Sequence, residues 1–140
     1  MTVRDAALLA MRPSVALGPE APDPATLDAP AQLLHQTLRP VLKLQNETLL
    51  ALVARSVRAR TAAFPGFAPD DQRRHLDALV RRDQRLQRLL LGVVIGHLTA
   101  DELSRWLGHD LEMRRRTVAL LAERVTGQRD RVAELVRQAA

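Results

Sequence analysis

The side chains in this 140-residue chain that could do chemistry are four histidines (His35, His75, His97 and His109), three serines (Ser14, Ser56 and Ser104), and acids scattered among many arginines. No two histidines lie four apart and none completes a Glu-x-x-His step, so one helix face never gathers a metal-ligand set. The serines have no base at a telling spacing, and no glycine-rich phosphate loop is present. Cysteine is absent, which removes thiolate ligands, thiol nucleophiles and disulfides. These residues predict no enzyme, no cofactor and no metal.

One acid stands out by its place in a pattern. Leu76, Leu79, Leu86, Leu90 and Val94 form an apolar stripe at three-and-four spacing, and Leu103, Leu107, Leu111, Val118 and Leu121 form a second. Folded back at His97-Leu98-Thr99-Ala100, the two stripes oppose each other as antiparallel helices require: Leu86 meets Leu111, and Leu90 meets Leu107. Asp83 and Arg114 interrupt the stripes at the same level, so they are expected to meet as a structural ion pair that fixes register. No second carboxylate or histidine falls on that layer, which favours a structural role for Asp83 over a catalytic one.

The elements that position this hairpin follow from local signals. Thr99-Ala100-Asp101-Glu102 is a capping box that starts a helix. Asp70 and Asp71 suit another helix start, and Phe64-Pro65-Gly66-Phe67 is a turn with an apolar residue at each end, expected to staple the loop to its own bundle. Helices are predicted at about 31–60, 70–97, 99–126 and 129–139, the last either a fourth helix or a frayed extension. Pro40 should kink or divide the first, whose broad face carries Leu34, Leu38, Val41, Leu42, Leu49, Leu52, Val53 and Val57. Gly92 and Gly96 have the small-xxx-small spacing that admits close helix packing.

Ahead of the helical region 30–140 stands an arm, 1–29, with Pro13, Pro19, Pro22, Pro24 and the boundary Pro30. Prolines at this density predict a flexible leader, within which Val3, Ala7, Ala10 and Met11 could form a short amphipathic turn. The fold class expected is therefore all-α: an antiparallel three- to four-helix bundle built on a long αα-hairpin, with a flexible N-terminal arm.

The net charge is +5, and 20 of the 21 basic residues are arginine. Arg81 and Arg82 mirror Arg115 and Arg116 across the hairpin with Arg85 and Arg114 nearby, so Arg81, Arg82, Arg85, Arg115 and Arg116 form a candidate patch for a partner or an anion. The segment from Leu98 through Leu107-Gly108 resembles the first helix and turn of a bacterial helix-turn-helix, which would place Arg114, Arg115 and Arg116 on a recognition helix. It departs from that motif where the motif buries an aliphatic side chain, a position held here by arginine.

The longest apolar run, Leu89 to Leu98, is too short to span a membrane, and the N-terminus lacks a signal-peptide pattern; the cytoplasm is the expected compartment. The function expected is that of a non-catalytic accessory or adaptor protein that binds another protein or a second copy of itself. The alternative is nucleic-acid binding through the arginine cluster or the segment 98–125.

Overall fold

The computed structural model describes residues 1–15 and 23–138, and all regular structure among them is helical. Nine α-helices follow in order: α1 Val3–Met11, α2 Ala29–Leu33, α3 Arg39–Leu44, α4 Asn46–Arg60, α5 Pro69–Arg82, α6 Gln84–Ile95, α7 Ala100–Leu107, α8 Asp110–Thr126 and α9 Arg129–Gln138. The chain divides into two compact units. The first comprises 1–45 and 92–117, the second 46–91 and 118–140.

In the first unit the helix started by Asp28, whose side chain accepts from the Ala31 amide, runs through Pro40 without breaking. Proline has no amide to donate to the carbonyl four residues back, and the helix absorbs this by widening to a π turn over Leu34–Leu38, with the Arg39 amide bonded to the Leu34 carbonyl. Its apolar side chains Leu33, Leu38, Val41 and Leu42 are buried. α2 packs on α7, which begins at the capping box as expected: Thr99 Oγ1 accepts from the Glu102 amide and Glu102 Oε1 accepts from the Thr99 amide.

Within the arm expected to be a flexible leader, residues 3–11 form α1. Thr2 caps it by accepting from the Asp5 amide, and polar side chains hold it to the unit together with the buried Leu8. Arg4 donates to the carbonyls of Leu98 and Gly96, and Asp5 accepts from the Ala100 amide. Val3, Ala7, Ala10 and Met11 all face solvent. Residues 16–22 lie outside the described residues.

In the second unit α9 packs along α4 and reaches the Phe64–Gly66 turn and α5. It is a full helix, with Val132, Ala133 and Val136 buried. Phe64 is fully buried with its ring 6.0 Å from that of Phe67, so the turn is stapled to its own unit. Gln72 secures it by donating to the Phe64 carbonyl, and itself accepts from Arg129.

The two long helices of the expected hairpin are each broken. The first stops at Asp83, whose backbone is extended (φ −79°, ψ 97°), and the second at Gly108-His109. Asp83 mends its own break: its Oδ1 accepts from the Leu86 amide as the N-cap of α6, while Gln87 reaches back to the carbonyls of Val80 and Arg81. The expected seam fails on its second side. Leu107 and Leu111 are 60% and 84% exposed, and of that stripe only Leu121 is fully buried; the rest of the buried face of α7 and α8 is carried by Glu102, Trp106, Met113, Thr117 and Val125.

The close-packing role expected of Gly92 and Gly96 is also corrected. Both are exposed, and a Cβ built on Gly92 would meet nothing within 4 Å among the described residues. Gly96 lies just beyond the end of α6, where its carbonyl serves Arg4. Since neither glycine has a positive φ, Gly92→Ala is expected to stabilise the protein by about 0.5–1 kcal/mol, read as a higher urea midpoint. Close packing would have given the opposite sign.

Candidate functional site

Charge divides sharply between the units. The first holds eight basic and eight acidic residues and is formally neutral. The second holds thirteen arginines against eight acids, so the whole excess of +5 sits there. Its arginines come from the C-terminal half of α4, both ends of α5, the start of α6, α8 and α9. The fold thus gathers a basic surface from segments far apart in sequence.

Two depressions in the second unit are lined by these arginines. One, of about 480 Å³, has Arg73, Arg74, Arg81 and Arg82 around Asp77, Ala78 and Thr126. Arg73 pairs with Asp70, Arg74 with Asp71 and Arg81 with Asp77, all on their own helix one turn away. Exposed pairs of this kind hold by about 0–1 kcal/mol and exchange readily for another anion. Arg82 has no ion pair among the described residues. The other depression, of about 380 Å³, is lined by α4 and α6 and includes Arg55, Arg60, Asp83 and Arg85.

Asp83 and Arg114, expected to pair, fall in different units, and each has a partner within its own. Asp83 Oδ2 accepts from Arg60 Nη2 at 2.9 Å, and Arg114 Nε donates to Asp110 Oδ1 at 3.2 Å. The helix break explains the change, because an N-capping carboxylate is turned toward its own backbone and leaves its second oxygen for the end of α4. Asp83→Asn, which keeps the cap and loses the charge, is expected to cost under about 1 kcal/mol because Arg60 is well exposed. Asp83→Ala also removes the cap and is expected to cost about 1–2 kcal/mol by urea denaturation.

The predicted arginine patch draws its members from both units. Arg81, Arg82 and Arg85 stand in the basic second unit. Arg115 and Arg116 both bind Glu112 on their own helix in the neutral first unit, and Arg116 also reaches Asp28 at 3.6 Å. Glu112 is held below its usual range chiefly by the hydrogen bond from Arg116. These two cations are neutralised where they stand, as is Arg114, which weakens α8 as a recognition helix.

Sequence spacing did not point to the most buried ionic group. Arg12 donates to Glu102 through Nη1 at 2.6 Å and Nη2 at 2.5 Å, and Thr37 Oγ1 donates to the same carboxylate at 3.0 Å. Burial pushes the Glu102 carboxyl up, but the bonds from Arg12, the Thr99 amide and Thr37, with the Arg12 charge, outweigh it and bring the pKa down to about 2. A carboxylate so firmly ionised is a structural anchor and a poor general acid. His97 lies 2.6 Å from the Gln45 amide nitrogen, and burial, then Arg12 and Arg4, lower its pKa. His35 Nδ1 accepts from Arg39, and burial followed by the charges of Arg39 and Arg116 lowers it too. Among the described residues no three His, Asp or Glu side chains are placed to hold a metal ion, and no helix is long and apolar enough to cross a membrane.

No family model, curated protein or solved structure matches this chain.

Proposed function

We propose that this is a non-catalytic accessory or adaptor protein, a cytoplasmic antiparallel helical bundle, that binds an acidic protein partner through the arginine surface of its second unit. The observation that carries this reading is the segregation of charge: one unit is formally neutral and the other holds the entire excess of +5. Charge sorted in this way steers an oppositely charged partner and orients its docking. The broad apolar face expected on the first helix, 31–60, is by itself a poorer candidate. Leu38, Val41, Leu42, Leu49, Val53 and Val57 on it are at most 1% exposed, while Leu34 and Leu52 are half-buried.

Nucleic acid is the second reading, and the arginines without acid partners favour it over any surface on α8. Arg55, Arg82, Arg85 and Arg88 are exposed and have no ion pair among the described residues, the condition under which phosphate contacts form cheaply. Salt and nuclease separate the two readings. The tagged protein captured from its host's lysate is expected to retain a stoichiometric protein partner after nuclease treatment and to lose it on Arg81→Glu/Arg82→Glu. Partners lost on nuclease treatment, with affinity falling steeply in log salt, would transfer the surface to nucleic acid. Capture indifferent to charge reversal in the second unit would remove both readings.

A further inference from the structure

The depression between α4 and α6 differs from the other arginine-lined surface in having an apolar floor. Leu52, Leu86 and Leu89 line it, with Arg55 and Arg85 beside them. Leu89 is 49% exposed, and it is the one large apolar side chain of the second unit's described residues that is left in solvent. Nothing in the unit's own packing explains this exposure.

The cations around the floor are equally uncompensated. Arg60 is occupied by Asp83, but Arg55 and Arg85 have no ion pair among the described residues. Arg55 and Arg85 thus stand beside the floor, one from each helix, with no acid of the unit's described residues to neutralise them. An apolar floor with an unneutralised cation on each helix is complementary to a helix with apolar residues on one face and acids along both flanks.

Resting on the proposed function, we infer that this groove is the docking centre for an acidic amphipathic helix of the partner protein. Leu89 and Leu52 take its apolar side chains, and Arg55 and Arg85 take its flanking carboxylates. A bare polyanion would use the arginines and leave the leucines in water; a purely apolar helix would leave the guanidinium groups of Arg55 and Arg85 beside it unpaired.

The test uses three probes on the full chain by fluorescence anisotropy: a synthetic peptide with leucines at i, i+3, i+4 and i+7 and glutamates between them, its scrambled isomer, and polyglutamate. The ordered peptide is expected to bind best, to weaken about tenfold in Arg55→Ala/Arg85→Ala and in Leu89→Ser, and to be unaffected by Arg105→Ala in the first unit. Circular dichroism checks that each variant is folded. Leu89 and Arg85 are exposed, so their replacement spares the core. Equal binding of ordered and scrambled peptides, no binding of the ordered peptide, or binding unchanged by the groove variants would overturn the assignment. Polyglutamate bound by the wild type and lost in Arg81→Glu/Arg82→Glu, while the ordered peptide fails, would end the groove alone and leave the broader reading standing.

Discussion

Glu102→Ala is expected to cost about 3–5 kcal/mol, because it strands a buried arginine. The Arg12 side chain is 11% exposed and that of Glu102 is 8% exposed, so neither charge can recover its water when the other is removed. The Nε of Arg12 already lacks a hydrogen-bond partner, which leaves the guanidinium no reserve of alternative acceptors beyond the His97 carbonyl. Glu102 also closes the capping box at Thr99, so the same substitution loosens the start of α7. The expected readout is a lower urea midpoint at unchanged slope, with amide protection falling first in α1. Removing both partners should cost less than the sum of the two single changes, since no charge is then stranded.

The pH dependence of this anchor has a definite sign. The folded carboxyl titrates at about 2, below its unfolded value of about 4.5. A depressed acid contributes stability in full above the unfolded value, and that contribution drains away as pH falls from 4.5 toward 2. The shift corresponds to about 3 kcal/mol. Acid titration of the wild type should therefore show a loss across that window that is much flattened in Glu102→Gln. An equally steep acid limb in both proteins would mean that the anchor resides elsewhere.

How much of this was legible in the sequence depends on whether the signal was local. The capping box at Thr99 and Glu102, the acids opening α5 and the Phe64 turn are read from a few neighbouring residues, and they stand where expected. The bond from Arg12 to Glu102 spans ninety residues, and nothing near either residue announces it. Asp83 interrupts a long apolar stripe in the sequence but is the N-cap of a new helix; aspartate's preference for that position is the local hint. Arg115 and Arg116 lie three and four residues after Glu112, so their neutralisation could have been read from sequence, whereas facing them against Arg81 and Arg82 required a hairpin that the helix breaks interrupt. The sorting of charge could not be read at all, because each unit is assembled from two separate stretches of chain.

The face that α7 and α8 bury is the other point at which pattern and structure part, and a trio of substitutions decides it. Spacing alone aligned Leu103, Leu107 and Leu111 as one side of a seam. One residue of rotation on a helix is about 100°, so a stripe beginning at Glu102 and Trp106 turns Leu107 and Leu111 toward solvent and leaves Leu103 half-buried. Trp106 is completely buried, and its Nε1 donates to Asp110 Oδ1 at 3.2 Å across the break between the helices. The indole is the largest side chain in the protein, and a chain with three aromatic residues has few means of filling the space it leaves. Trp106→Ala is accordingly expected to cost about 3–5 kcal/mol, from lost transfer and the cavity together. Leu107→Ala and Leu111→Ala should each stay within about 0.5 kcal/mol of the wild type, as substitutions in solvent do. A seam through the leucines would reverse that ranking, with both leucine variants losing at least about 2 kcal/mol. Thermal or urea melts of the three single variants therefore distinguish the two faces without a partner, a ligand or an assay of function.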